Sequence, residues 1–156
     1  MSEQLVSEQP EQQFGIQRIY IKDVSFESPQ GAAIFGKAWK PAVQQELSTT
    51  TTGMGDDRYE VVLTITVTGK LDDQPAFLVE VQQAGIFLMK GLSEEQVRQV
   101  AGANCPTILF PYAREVIDSL LARGTLPPLM LPPINFDALF QQVLEQQGSE
   151  AGVTAH

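Results

Sequence analysis

The sequence predicts an α+β domain in which a four-stranded antiparallel sheet comes first and helices follow. In the first half, apolar residues recur at every second position, most clearly over 59–68. That repeat is the period of a strand with one buried face. In the second half, apolar residues recur every three or four positions, most regularly over 113–121, which is the period of a helix. Strands followed by helices are the order of elements in an α+β fold.

Four segments have strand patterns. The first covers 16–27, the second covers 43–52 and ends in a run of threonines, and the third covers 59–68. The fourth begins at Ala76, after a short turn segment that favours antiparallel pairing with the third strand. We expect a meander-like sheet. The connection from the first strand to the second is a long loop with Phe35 and Trp39, and aromatic residues in a loop usually hold it against the domain.

The alternation also assigns side chains to faces. The first strand places Ile16, Tyr20, Val24 and Phe26 on one face, and Gln17, Ile19, Ile21, Asp23, Ser25 and Glu27 on the other. If the first and fourth strands share a sheet, Asp23, Glu27 and Glu80 form an acidic patch with Ile19, Ile21 and Leu78. Two interpretations remain open. The patch is either a solvated sheet face or a docking surface for a basic partner.

The second half contains three predicted helices. Ser93 and Gln96 have the spacing of a capping box and predict a short helix over 94–104. A second helix follows the Asn104-Cys-Pro sequence and ends at Gly124, a residue suited to a C-terminal cap. The connector over 126–133 has four prolines between apolar residues, so it is expected to lie against an apolar surface. Asn135 is expected to cap a last helix over 136–147.

Length and composition set the class of protein. The 156 residues suffice for one domain with a sizeable core. We expect a flexible acidic tail over 1–13, one domain over 14–147 and a second flexible tail over 148–156. The formal net charge of −9 argues against nucleic acid and anionic membranes as partners. The N-terminus does not resemble a secretory signal and no apolar run suggests a membrane span, so we expect a cytoplasmic protein without membrane insertion.

The residues predict no enzyme, cofactor or metal site. Cys105 is the only cysteine and the only histidine is the terminal His156, so a thiolate zinc site and the usual catalytic base are both missing. Cys105 is expected to be a buried small side chain. The acidic pairs at 56–57, 72–73 and 94–95 occupy predicted turns or a first helical turn, and the glycines lack the spacing of a phosphate loop.

Several motifs together resemble the SecB family of bacterial protein-export chaperones. The similarity covers nearly the whole chain, from about Phe14 to Gln147, and rests on these motifs together. They are Ile16-Gln-Arg-Ile-Tyr20, Lys22-Asp-Val-Ser-Phe-Glu27, Phe35 with Trp39 and Pro41, Phe77-Leu-Val-Glu-Val-Gln-Gln83, Cys105-Pro-Thr-Ile-Leu-Phe-Pro-Tyr-Ala-Arg-Glu115, and Asn135-Phe-Asp-Ala-Leu-Phe140. One departure is Val79, where the family often has cysteine.

The resemblance implies a homotetramer, built as a dimer of dimers, that holds precursor proteins unfolded and passes them to the SecA ATPase. By position, SecA would contact Asp23, Glu27, Leu78 and Glu80, and the assembly face would contain Val79, Val81 and Gln83. The groove for unfolded clients would be lined by Phe35, Trp39, Val116, Leu120, Leu121 and Leu126.

Two alternatives remain at this point. One is a SecB-like chaperone dedicated to a narrow client such as an antitoxin, which a survey of clients would distinguish. The other is a small-molecule-binding α+β domain, for which we would expect an enclosed pocket with converging polar groups.

Overall fold

The computed structural model describes residues 11–153 and confirms the α+β architecture. One antiparallel sheet is followed by helices. The elements are β1 (Gln13–Glu27), a 3-10 helix (Gly31–Gly36), β2 (Ala42–Gly55), β3 (Arg58–Leu71), β4 (Gln74–Lys90), α1 (Glu94–Gln99), a π-helical turn (Val100–Asn104), α2 (Cys105–Arg123) and α3 (Phe136–Val153). The tail expected over 1–13 lies mostly outside the described residues. The last helix begins where predicted and continues past residue 147.

The order of strands in the sheet is β1-β4-β3-β2, so the expected meander is wrong in one respect. β2, β3 and β4 are joined by tight hairpins, but β1 pairs with β4 and not with its neighbour in sequence. The connection after β1 therefore crosses to the far edge of the sheet. Gln30 Nε2 donates to the carbonyl of Pro75 at 3.0 Å, and the Trp39 ring stacks on Phe77 with centroids 6.1 Å apart. Trp39 thus anchors the connection, as expected, whereas the Phe35 side chain is largely exposed.

The two hairpin turns explain two of the acidic pairs. Asp56 and Asp57 have φ angles of 55° and 59°, and Asp72 and Asp73 have 52° and 61°. Two successive residues in the left-handed region form the type I′ turn, whose twist matches that of the flanking strands. Aspartate tolerates this conformation better than most residues. The prediction that these pairs belong to turns is confirmed.

The core lies between α2 and one face of the sheet, which we call the inner face. Side chains at odd positions of β3 and β4 point to it. The buried residues include Val61, Leu63, Ile65 and Val67 on β3, Phe77, Val79 and Val81 on β4, and Leu109, Ala113, Ile117 and Leu121 on α2. The opposite, outer face of the sheet has no helix packed on it among the described residues.

The break predicted between the first two helices does not occur. The chain stays helical from α1 through the π-helical turn into α2. Within the turn, the amide of Cys105 donates to the carbonyl of Val100, five residues earlier. This wider turn accommodates Pro106, which has no amide hydrogen to donate and would clash in a regular helix. The capping box at Ser93 and Gln96 is confirmed, with both hydrogen bonds present.

α3 is held at its N-terminal end. The Asn135 carboxamide oxygen accepts from the amide of Ala138 at 3.0 Å, which confirms the predicted cap. Phe136 is buried in the core, and the Phe140 ring lies so close to Gly102 that a Cβ atom there would be 2.4 Å from it. Glycine at 102 therefore lets α3 dock on the π-helical turn. No helix of the described residues has both the length and the apolar character to cross a bilayer.

Candidate docking face and apolar surfaces

Two β-bulges in β1 decide which of its side chains face outward. The pairing with β4 shifts between Ile16 and Arg18 and again between Ile21 and Asp23. Each shift adds one unpaired residue, and one extra residue reverses the alternation of faces. As a result, Ile19 and Ile21 lie on the inner face. Their predicted place beside the acidic patch is therefore wrong.

The second bulge brings the acidic residues together on the outer face. Asp23 lies opposite Gln82, Ser25 opposite Glu80, and Glu27 opposite Leu78. The four residues expected to contact SecA thus share one surface, which we call the acidic face: Asp23, Glu27, Leu78 and Glu80. Glu80 Oε2 accepts a hydrogen bond of 3.1 Å from Thr66 Oγ1. Among the described residues no lysine or arginine forms an ion pair with these carboxylates, so their charge stays available to a partner.

The three residues expected at the assembly face lie inside the single chain. Val79, Val81 and Gln83 are 1%, 0% and 3% exposed. They sit on the inner face of β4, the strand against which α2 packs. Their side chains therefore do not reach a surface that a second copy could contact directly. Any contribution they make to assembly would therefore be indirect, through the elements that pack against them.

A strip of exposed apolar side chains runs along the inner face of β1, and sequence reasoning did not identify it as a surface. We call Phe14, Ile16, Ile21 and Val24 the β1 strip; they are 41–49% exposed. β1 is an edge strand, so one side of its backbone has no partner strand among the described residues. The alternation of β1 indicated apolar side chains, but only the tertiary structure shows that α2 leaves them uncovered.

The residues expected to line the client groove fall into two groups. Phe35 is 58% exposed, and Trp39, Val116 and Leu120 are partly exposed. Leu121 and Leu126 are buried in the core, so they support these residues from beneath and are not accessible themselves.

A groove that the sequence did not predict lies between β2, the helical segment after Ser93, and α3. Its volume is about 780 Å³. The apolar side chains that line it include Leu47, Val97, Leu139, Phe140 and Val143. It is formed by elements far apart in the sequence, which explains why no local pattern indicated it.

Comparison with known proteins identifies the family. The family described as preprotein translocase subunit SecB matches residues 7–147. The chain belongs to the SecB family. It is 51% identical over 142 residues to the protein-export protein SecB of Hahella chejuensis (strain KCTC 2396), covering 91% of this chain and 89% of that protein.

A solved structure shares the fold of this SecB-family chain. It is a SecB-like chaperone from Mycobacterium tuberculosis in complex with a ChAD peptide from an antitoxin. The TM-score is 0.63 at 19% sequence identity, over 78% of this chain and 87% of that one. At this identity the likeness concerns the fold alone.

The outer face of this SecB-family chain also carries a polar cluster that the sequence did not indicate. Lys22 Nζ donates to Glu60 Oε1 at 2.8 Å, and the Tyr20 hydroxyl donates to Glu60 Oε2. Tyr20 lies opposite Ala84, whose small side chain lets the phenol reach across β4 to β3. The hydrogen bond from Lys22 is the main cause that lowers the pKa of Glu60. Burial and then the bond to Glu60 raise the pKa of Tyr20 to about 12.

The cluster predicts a pH dependence of stability. The contribution of Tyr20 should be complete below the unfolded phenol pKa of 10.0 and lost as the pH rises to about 12. The contribution of Glu60 has the opposite sign. Because its folded pKa is lowered, it is present above the unfolded pKa and lost as the pH falls through the folded value.

Absorbance at 295 nm, recorded for the wild type and for Tyr20→Phe during alkaline titration, isolates the Tyr20 phenol as the difference between the two curves. Urea unfolding of the same pair measures the stability effect. A Tyr20 transition at the ordinary phenol pKa would contradict the prediction.

The one cysteine and the grouping of metal-ligating side chains are the remaining points to compare with the sequence. Cys105 is buried, as expected, and burial raises the pKa of its thiol to about 12. Within the described part of the chain, no three His, Cys, Asp or Glu side chains are grouped so as to hold a metal ion.

Proposed function

We propose that this SecB-family protein is an ATP-independent cytoplasmic holdase that keeps precursor proteins unfolded and delivers them to the SecA translocation ATPase. The observation that supports this most directly is the separation of two surfaces on one small chain. The acidic face lies on the outer side of the sheet, whereas the β1 strip and the apolar groove lie on the inner side and beside α3. Such a chain can hold a client and a partner at the same time.

To hold its clients, a chaperone needs only a higher affinity for unfolded precursors than for folded ones. Unfolded precursors expose apolar segments that folded proteins bury, so apolar surface on the chaperone binds the unfolded state and shifts the folding equilibrium by mass action. Phe35, Trp39, Val116 and Leu120 provide accessible apolar surface, supported by the buried Leu121 and Leu126. The groove beside α3 provides more. Weak contacts suffice when one long client spans several copies of these surfaces.

Delivery requires a docking surface for SecA, and we assign it to the acidic face. Asp23 and Glu27 are exposed, and Leu78 lies opposite Glu27 as an apolar contact between carboxylates. Carboxylates without an ion-pair partner attract a basic partner and raise its rate of encounter.

The protein is further proposed to be a homotetramer built as a dimer of dimers. The β1 strip supports this, because four large apolar side chains along an unpaired strand edge would be costly to leave in water. In this arrangement a second copy covers the β1 strip. Val79, Val81 and Gln83 would support the interface by fixing the position of α2.

The proposed function is tested by a refolding assay without ATP. The purified protein, at one tetramer per client, should block refolding of a chemically denatured precursor, and addition of SecA should relieve the block. Equal refolding with and without the protein would reject the holdase function. A block that SecA does not relieve would reject delivery alone, and a block confined to one client class would favour a dedicated chaperone.

Charge reversal at Glu80 is expected to weaken SecA binding about tenfold. The lysine of Glu80→Lys would face Asp23 and Glu27 and present a repulsive charge to a basic partner. Client holding should be unaffected, because Glu80 lies on the outer face. Isothermal titration with SecA measures the affinity.

Glu46→Lys is the matched control. Glu46 is exposed on the same face, but two strands away from Glu80 through Thr66, a separation of roughly 10 Å. At physiological salt an exposed charge is largely screened over that distance. Equal SecA affinity of Glu80→Lys and the wild type would reject the assignment of the acidic face.

A further inference from the structure

Gln83 is the only buried polar residue in the part of the chain that the structure describes. Its Nε2 donates to the backbone carbonyl of Tyr20 at 3.1 Å. Its Oε1 is also buried and has no hydrogen-bond partner among the described residues. For stability alone, an apolar side chain would avoid that unpaired acceptor. The presence of glutamine at position 83 is therefore best explained by the hydrogen bond that its Nε2 donates to the Tyr20 carbonyl.

The hydrogen bond from Gln83 Nε2 lies at the second bulge of β1. Gln83 lies directly opposite Ile21, the last paired residue before Lys22 leaves the ladder, and Asp23 resumes pairing opposite Gln82. The Gln83 side chain on β4 is thus hydrogen-bonded to the backbone of β1 at the place where the extra residue, Lys22, must be accommodated. On the other side of the sheet, the ion pair with Glu60 holds the Lys22 side chain outward.

Next to the second bulge, the register of β1 needs such a bond because burial specifies it weakly there; the partly buried Ile19 and Phe26 lie farther along the strand. A strand's register is strongly determined only where one face is buried, and a slip of one residue exchanges the two faces. Ile21 and Val24, which flank the bulge on the inner face, are 48% and 41% exposed. If the bulge were lost, Asp23 and Glu27 would turn to the inner face, away from Glu80.

We propose that Gln83 is a positioning residue for the acidic face: from the opposite side of the sheet, it fixes the bulge at Lys22 that places Asp23 and Glu27 beside Glu80. Gln83 does not touch SecA, and it influences docking through the hydrogen bond to the backbone of β1. The inference rests on the proposed docking of SecA to the acidic face. It is separate from the support that Gln83 is proposed to give to assembly by fixing α2.

Hydrogen exchange tests the positioning without SecA. Gln83→Met keeps the side-chain length and removes the donor. The amides of 21–25 should exchange about tenfold faster in this variant, while those of β3 keep their wild-type rates. Unchanged exchange at 21–25 would overturn the proposal, and so would a uniform increase over the whole sheet. If Gln83→Met does not fold, Gln83→Asn, whose shorter amide cannot reach the Tyr20 carbonyl, takes its place.

A double-mutant cycle then links the bulge to docking. Gln83→Met should lower SecA affinity about fivefold in the wild type and equally in Lys22→Met, which keeps the bulge but removes the ion pair. Deletion of Lys22 joins the Ile21–Gln83 and Asp23–Gln82 pairs into a regular ladder, so Gln83→Met should have no further effect there. An equal loss in the deletion background would overturn the proposal. A wild type that does not bind SecA would reject the proposed delivery to SecA, while the exchange experiment would still decide whether Gln83 fixes the bulge.

Discussion

Val81→Asp should lower the free energy of unfolding by about 4 kcal/mol or more, because it buries a carboxyl group without a partner in the core. Val81 is 0% exposed and lies between Val24 of β1 and Ile65 of β3. The resemblance to the SecB family alone would predict folded dimers for this variant. The position of Val81 beneath α2 predicts loss of the fold itself. Urea unfolding followed by circular dichroism measures the effect.

Two control variants separate folding from assembly. Val81→Ala removes packing without adding a polar group and should cost about 2 kcal/mol. Ile21→Asp places the same carboxylate in the β1 strip, where the side chain is 48% exposed, and should leave the protomer folded but reduce the mass measured by light scattering. A folded Val81→Asp protein of reduced mass would restore a direct interface role for Val81.

Gly102→Val should detach α3 from the π-helical turn. A Cβ atom at this position would be 2.4 Å from the Phe140 ring, so the ring and with it the helix must move. Overpacking of this kind costs about 2 kcal/mol. Since α3 forms one wall of the apolar groove, client holding should weaken together with the docking of the helix.

Amide exchange over 136–147 measures the docking of α3, and the refolding assay measures the function. Gly148→Ala is the control on the same helix, because a Cβ atom at Gly148 has no neighbour within 4 Å. It should leave both measurements unchanged. Wild-type protection of α3 in Gly102→Val would show that Phe140 can repack and that the close contact does not hold the helix.

The strands, the N-terminal caps of the helices and the positions of the hairpin turns could be predicted from the sequence because each depends on neighbouring residues. The strand order could not, since the pairing of β1 with β4 joins distant segments. The glycine expected at the end of α2 was misjudged, because Gly124 has a φ of −83° and Thr125 adopts the left-handed conformation. The prediction of a helix break at Pro106 was wrong because of the local helix geometry. A π-helical turn accommodates proline without ending the helix, and no residue pattern in the sequence predicts such a turn.

The candidate sites show the same limit. Asp23, Glu27, Leu78 and Glu80 were expected on one surface and lie there, but Ile19 and Ile21 do not join them, because a β-bulge leaves no regular signal in the alternation. The burial of Val79, Val81 and Gln83 depends on where α2 packs. The β1 strip and the groove beside α3 likewise exist only once helices have covered some apolar residues and left others exposed.

The buried thiol of Cys105 has a practical consequence for labelling. The chain has one cysteine, and alkylating dyes react with the thiolate, which burial of Cys105 suppresses. A cysteine introduced at the exposed Ser25, opposite Glu80, would therefore be the one thiol open to maleimide reagents. A fluorophore attached there would report the arrival of a partner on the acidic face in real time, without prior removal of the native cysteine.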